Sequence, residues 1–150
     1  MRIMKAGLDD VNEVAGLFNE YRKFYGEEDA PEECRRFILD RVTNDESTIF
    51  VARTASGTAV GFTQLYQSFC SVAMTRLIYL YDLYVAEDAR RNGVAQSLME
   101  AARDHGVAIG AGRLQLETAA DNYPAQSLYE SLGWERDVKF YSYSLPLAPK

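Results

Sequence analysis

The residues with most chemical meaning lie between positions 80 and 95. An apolar stretch, Leu80-Tyr81-Asp82-Leu83-Tyr84-Val85, is followed by a polar loop and then by Arg90-Arg91-Asn92-Gly93-Val94-Ala95. The pattern reads as strand, loop, glycine, helix. A helix N-terminus leaves about four backbone N–H groups unpaired and carries roughly half a positive charge. Gly93 has no Cβ, so an oxygen-rich anion can approach the backbone closely. Arg90 and Arg91 add mobile positive charge. Together these describe a phosphate or pyrophosphate cradle. The same residues also fit a plain strand-to-helix turn with two solvated arginines. No Gly-Lys-Ser/Thr follows, so this is not a nucleotide P-loop, and Gly93 lacks the companion glycines of a dinucleotide fingerprint.

Asp82 is the single charge in the run from Leu77 to Val85. So continuous an apolar run predicts a strand buried on both faces in the middle of a sheet. Desolvation there would raise the pKa of Asp82. It could act as a base, as a counter-ion to an amine, or as a cap on a neighbouring loop. Glu117 is a second carboxylate, on the facing strand predicted at 113–118. The chain has one histidine, His105, and two cysteines, Cys34 and Cys70. These give no basis for a zinc cluster or a catalytic system built on several histidines, and no metal is expected. His105 reads as helix-end surface, and the cysteines as small buried or partly buried residues.

The elements that must position these groups follow from periodicity. A strand is predicted at residues 2–6. Leu8-Asp9-Asp10 starts a helix, with an Asp as its N-cap, whose stripe is Val11, Val14, Ala15, Phe18, Tyr21 and Phe24. Pro31 begins a second helix running to about Val42. Residues 48–54 and 58–69 form a hairpin around Ala55-Ser56-Gly57. The strand at 77–85 precedes a helix opened by Gly93, with apolar face Val94, Ala95, Leu98, Met99 and Ala102, stopping near Gly106. A strand at 113–118, a helix at 122–132 and a last alternating strand at 138–145 complete a mixed α/β sheet.

Here the sequence resembles the GCN5-related N-acetyltransferase superfamily. The acetyl-CoA loop of that family, Arg/Gln-x-x-Gly-x-Gly/Ala, is matched by Arg90-Arg91-Asn92-Gly93-Val94-Ala95. A second element, Asn-x-x-Ala-x-x-Leu-Tyr-x-x-x-Gly-aromatic, is matched from Asn122 through Ala125, Leu128, Tyr129 and Gly133 to Trp134. The order of elements fits from Met1 to Leu145. Phe24-Tyr25-Gly26 and Phe140-Tyr141 look like the subgroup of yeast histone and polyamine acetyltransferases. The implied fold is α/β, an acyl-CoA N-acyltransferase fold. Its central sheet is mixed, mostly antiparallel, splayed at the cofactor site and flanked by helices. One N-acetyltransferase domain over residues 1–150 is expected.

The resemblance implies that acetyl-CoA lies where residues 80–85 splay from residues 113–118. Its pantetheine arm would pair with the backbone of Leu83, Tyr84 and Val85, much as an added strand does. Backbone N–H groups from Arg91 through Asn92, Gly93 and Val94 to Ala95, helped by Arg90 and Arg91, would hold the pyrophosphate. Asn122 would hydrogen-bond the arm, and Ala125 would leave it room. Tyr129 would protonate the departing thiolate, since a phenol of pKa about 10 still carries its proton near neutral pH. Tyr129 also fits a packing stripe with Ala125 and Leu132. An alkylamine acceptor is only about 0.04% neutral at pH 7, a deficit of roughly 4.6 kcal/mol. Asp82 is the first candidate for the base. Some relatives carry a Glu immediately before it, where this chain has Tyr81, and Glu117 is the reserve.

Tyr21, Phe24 and Tyr25 could form an aromatic wall for the acceptor, and Glu27, Glu28 and Asp29 an acidic mouth; Phe24 as core and the acids as a solvated loop fit equally. The expected reaction is direct attack of a primary amine, from a small polyamine-like molecule or a lysine-bearing peptide, in a ternary complex with acetyl-CoA. The alternative is a non-catalytic acyl-CoA-binding sensor or interaction module.

Composition bounds the rest. The chain has 150 residues, 47% hydrophobic and 25% charged, with net charge −6. Folding could bury roughly 69% of its extended-chain surface, enough for one core without staples. The acidic balance repels nucleic acid and suits a cationic partner. No apolar run approaches the ~20 residues of a membrane span, and no secretory stretch opens the chain. Free thiols point to the cytoplasm. A homodimer paired through the aromatic C-terminal segment is compatible with the sequence.

Overall fold

A computed structural model describes residues 1–148. Contacts divide the chain into two compact units, Met1–Glu117 and the segment from Thr118 onward.

The first unit is a five-stranded sheet in the order β1-β2-β3-β4-β5. Its strands are β1 (Arg2–Lys5), β2 (Thr48–Arg53), β3 (Ala59–Cys70), β4 (Thr75–Val85) and β5 (Ala111–Gln115). The first four pair antiparallel, and β5 joins β4 in parallel. This is the mixed, mostly antiparallel sheet expected. β-branched and aromatic residues alternate along β2 and β3. Each strand therefore serves two faces, which is why the unit has two cores.

On one face α1 (Val11–Phe24) and α2 (Pro31–Thr43) pack through Val11, Val14, Ala15 and Ile38 onto Ile49, Val51 and Phe62. On the other, α3 (Val94–Ala108) seats Val94 and Leu98 on Ala52, Val60 and Val85. Gly61 makes that seat possible. A Cβ there would stand 3.0 Å from the Tyr84 carbonyl, 3.1 Å from Val94 and 3.3 Å from Leu98. Gly106 does not end α3, as its type suggested. It lies inside the helix, where a Cβ would come within 2.7 Å of the Leu114 side chain.

Two residues of the expected stripes face outward. Phe24, at the end of α1, is 64% exposed. Tyr81 is 69% exposed although its strand is central. The register explains Tyr81: Gln64 pairs with Asp82 and Leu65 with Leu80, so Tyr81 is the extra residue of a β-bulge. His105 is half-buried against the Phe50 ring, 5.8 Å away, and not simply surface. Burial and nearby Lys5 lower its pKa.

The second unit holds α4 (Tyr123–Ser131). Asn122 is its N-cap, accepting the Ala125 N–H at 3.3 Å. Gly133, at φ 91°, ends the helix and turns the chain so that the Trp134 N–H reaches the Tyr129 carbonyl. The strand expected at 138–145 does not form among the described residues. Val138, Phe140, Tyr141, Tyr143 and Leu145 are all exposed there, with Tyr143 at 94%. Alternating apolar residues make a strand only when a neighbouring strand accepts their backbone groups.

Candidate active site

The cradle predicted from sequence has the required local geometry. Gly93 sits at φ 75°, in the left-handed region, and caps α3. A Cβ on it would meet no heavy atom within 4 Å, so the space above the loop is open. Arg91 shares that left-handed backbone at φ 67°. The first backbone bond of α3 runs from the Ser97 N–H to the Gly93 carbonyl at 3.0 Å. Val94, Ala95 and Gln96 therefore present N–H groups with no partner inside the helix. No acidic residue lies in the first turn to neutralise them. Asn92 ties the loop from within, donating to the carbonyls of Ala89 at 3.2 Å and Arg90 at 3.3 Å.

Arg90 behaves differently from Arg91. Its Nε donates to the Val85 carbonyl at 3.0 Å. Its guanidinium lies over the rings of Phe24 and Tyr84, 5.4 and 5.6 Å from their centres. Sequence spacing gave no sign of this bridge, because it joins the loop to the far end of α1.

β4 supplies an open backbone edge. β5 pairs with it from Arg76 to Tyr79 only, so residues 80–85 extend past their neighbour. Leu83, Tyr84 and Val85 lie on that free length, paired on the other side with Thr63, Phe62 and Gly61. The expected opening beside residues 80–85 takes the form of an unpaired length of β4, because β5 ends at Gln115.

Asp82 lies on the same length and is buried, at 6% exposure. Gln64 Nε2 donates to its Oδ2 at 2.9 Å, and the Tyr21 hydroxyl hydrogen-bonds the same carboxyl. Burial raises its pKa above the ordinary carboxylate range, and those two bonds temper the rise. Thr63 holds the backbone in place by donating to the Asp82 carbonyl at 2.8 Å. Tyr66, half-buried nearby, is pushed up to about 12 by burial and by the Asp82 charge.

Tyr21 joins this carboxyl to an aromatic group. Its ring contacts Tyr25 at 5.2 Å, Tyr84 at 6.0 Å and Phe62 at 6.1 Å between centres. Tyr21, Tyr25 and Asp82 are thus brought together as expected, and Phe24 joins them from its exposed position through Tyr25. Glu117 is exposed beyond the end of β5. Gln64 was missed. A polar residue inside the apolar run Gly61-Phe62-Thr63-Gln64-Leu65 was the available signal.

In the second unit Ala125 and Tyr129 are half-buried on α4, with the Tyr129 ring 6.3 Å from Trp134. Among the described residues, no group of three or more His, Cys, Asp or Glu is placed to hold a metal ion. No helix among them is long and apolar enough to cross a membrane.

Comparison with known proteins identifies the fold and family. Residues 14–134 match the acetyltransferase (GNAT) family. The uncharacterized N-acetyltransferase YhfO of Bacillus subtilis (strain 168) is 40% identical over the full length of both chains. A probable acetyltransferase of Haemophilus influenzae is 29% identical over 148 residues, 99% of each chain. A crystal structure of a probable acetyltransferase superposes with a TM-score of 0.94, at 40% identity and complete coverage of both. The chain belongs to the acetyltransferase (GNAT) family, and it is an acetyl-CoA-dependent acetyltransferase.

Proposed function

We propose that this enzyme moves the acetyl group of acetyl-CoA to a primary amine by direct attack in a ternary complex. The observation that carries the reading is the buried Asp82 carboxyl, hydrogen-bonded by Tyr21, on the open length of β4. A free amine must lose a proton as it attacks. A carboxylate whose proton affinity is raised by burial is a better acceptor than a solvated one.

Acetyl-CoA supplies an activated thioester. The backbone N–H groups of residues 91–95 and the Arg91 side chain hold its diphosphate, with Arg90 contributing through its Nη groups. The free backbone of Leu83, Tyr84 and Val85 aligns the pantetheine arm, with Asn122 bonding it and Ala125 leaving it space. Asp82 takes the proton from the amine. Tyr129 gives its phenolic proton to the departing sulfur. Tyr21 and Tyr25 contact the acceptor, with Glu117 as a more remote carboxylate. The acidic Glu27-Glu28-Asp29 loop and the net charge of −6 favour a small polyamine-like amine or a lysine-bearing peptide. The family match crosses both compact units, which supports reading them as one acetyltransferase domain.

The free cysteines Cys34 and Cys70 support a reducing, cytoplasmic setting. The exposed apolar residues at 138–147 support pairing of two copies through this segment. Sedimentation of the full chain beside one ending at Asp137 tests that pairing; the expected result is a dimer that becomes monomeric.

Release of CoA thiol, followed across polyamines, aminoglycosides and lysine peptides, tests the activity. Turnover of at least one amine class is expected. Tight CoA binding with no release above background across the panel would favour a sensor instead.

A further inference from the structure

Asp82 does not sit alone in the interior of the first unit. Gln64 is wholly buried opposite it, in the central strand β3. The Ser47 hydroxyl, in the turn before β2, bonds to Gln64 Oε1 at 2.8 Å, and Gln64 Nε2 bonds to Asp82 Oδ2 at 2.9 Å. A primary amide has one acceptor end and one donor end. The ionised carboxyl only accepts, so the N–H₂ end faces it and the oxygen end takes the serine hydroxyl. The amide sits in a fully buried slot, where turning it over would set oxygen against oxygen.

We infer that Ser47 and Gln64 form a positioning pair that fixes the orientation of Asp82 and holds its carboxyl in readiness to accept a proton. The inference rests on the proposed role of Asp82 as base. The acceptor-only carboxylate takes the N–H₂ end of the amide, and the Ser47 hydroxyl holds the oxygen end in place. A donor to the charged form favours that form and offsets part of the desolvation. Without it, the carboxyl would stay protonated to higher pH and would be idle as a base over more of the neutral range.

The surroundings make this amide the principal control. From α1, Tyr21 faces the carboxyl. From β3, Gln64 bonds it and the Tyr66 phenol lies near it. Tyr81, Arg41 of α2 and Glu46 of the following turn act on Tyr66. Among the described residues no cation contributes to the balance at Asp82, where burial is opposed by hydrogen bonds. Ser47 is half-buried and lines an open polar cleft with Lys5, Arg76 and His105, so it can be altered without opening the core.

The test is the titration of the Asp82 carboxyl by carbon-13 NMR, beside the pH profile of kcat/KM. The variants are Gln64→Leu, Ser47→Ala and Ser47→Thr. Loss of the amide donor in Gln64→Leu should raise the midpoint about tenfold in proton affinity. Ser47→Ala should raise it by a smaller amount in the same direction, and Ser47→Thr, which keeps the hydroxyl, should restore the wild-type value. The acid limb of kcat/KM should move with the midpoint. A midpoint unmoved in folded Ser47→Ala and Gln64→Leu overturns the positioning pair. If Gln64→Leu does not fold, an unmoved midpoint in Ser47→Ala overturns it alone. Midpoints that move while the kcat/KM profile stays fixed uphold the pair and instead remove Asp82 as the base.

Discussion

Replacing Gly93 by alanine isolates the anion cradle. The added Cβ meets nothing within 4 Å, so no clash confuses the outcome. What changes is the backbone. At φ 75° an L-residue is strained by about 1–2 kcal/mol. If the loop holds its shape, that strain appears as lost stability. If the loop relaxes, the Val94 and Ala95 N–H groups turn from their common target. A hydrogen bond to a charged group contributes about 1.5–3 kcal/mol. Losing one would weaken CoA by about tenfold to a hundredfold at 1.4 kcal/mol per decade. Calorimetric titration with CoA and with pantetheine, which lacks the diphosphate, reads this directly. Weaker CoA binding with unchanged pantetheine binding is expected, or else a lower melting temperature with both unchanged. A folded Gly93→Ala protein as stable as wild type, binding CoA as tightly, refutes the reasoning. So does equal weakening of the two ligands.

Three further outcomes are expected. Tyr129→Phe should lower kcat by about 10²- to 10⁴-fold with CoA affinity intact, read by steady-state kinetics beside calorimetry. Because burial raises the Asp82 pKa, kcat/KM should climb with pH through a midpoint above the ordinary carboxylate range, and Asp82→Asn should abolish that limb. A buried acid with a raised pKa destabilises the fold once it is charged, so this variant should gain melting temperature over wild type at pH 8 but not at pH 4. Arg53 donates to Asp10 at 2.7 Å, to both Glu13 oxygens at 2.8 and 2.9 Å, and to the Gly57 carbonyl at 2.8 Å. Arg53→Met should lose about 1–2 kcal/mol, or about 3–6 °C by thermal unfolding. The Gly7 amide and Arg53 hold the Asp10 carboxyl low, and Arg53 holds Glu13 low. That contribution is present above the unfolded carboxylate pKa and fades as pH falls through the depressed folded values. The gap between wild type and variant should therefore narrow in acid.

Local chemistry is what the sequence carried clearly. Gly93, Pro31 and the Ala55-Ser56-Gly57 turn each dictate a backbone conformation by themselves, and the elements around them lie within a few residues of expectation. The loop and helix N-terminus proposed as the cradle were legible for the same reason, since they are contiguous in the chain. Asp82 stood out as a charge in an apolar strand, and burial follows from that. Its partners lie far off in sequence: Gln64 meets it through the β3–β4 register and Tyr21 through the packing of α1 on the sheet, and no spacing encodes either. The Tyr81 bulge was invisible for the same reason. The segment at 138–145 shows the opposite failure: a good alternating pattern predicted a strand, but pairing needs a neighbour that the described chain does not supply there.

Two absent side chains decide how α3 behaves as a mechanical part. Near its first turn the helix rests on the flat of Gly61, and near its last it admits Leu114 against Gly106. It is a beam seated at both ends on positions where the backbone carries no side chain of its own. A diphosphate docking in the proposed cradle would meet amides whose aim is already set. Docking should then proceed as onto a rigid fixture, with little reordering of the helix to slow capture or release.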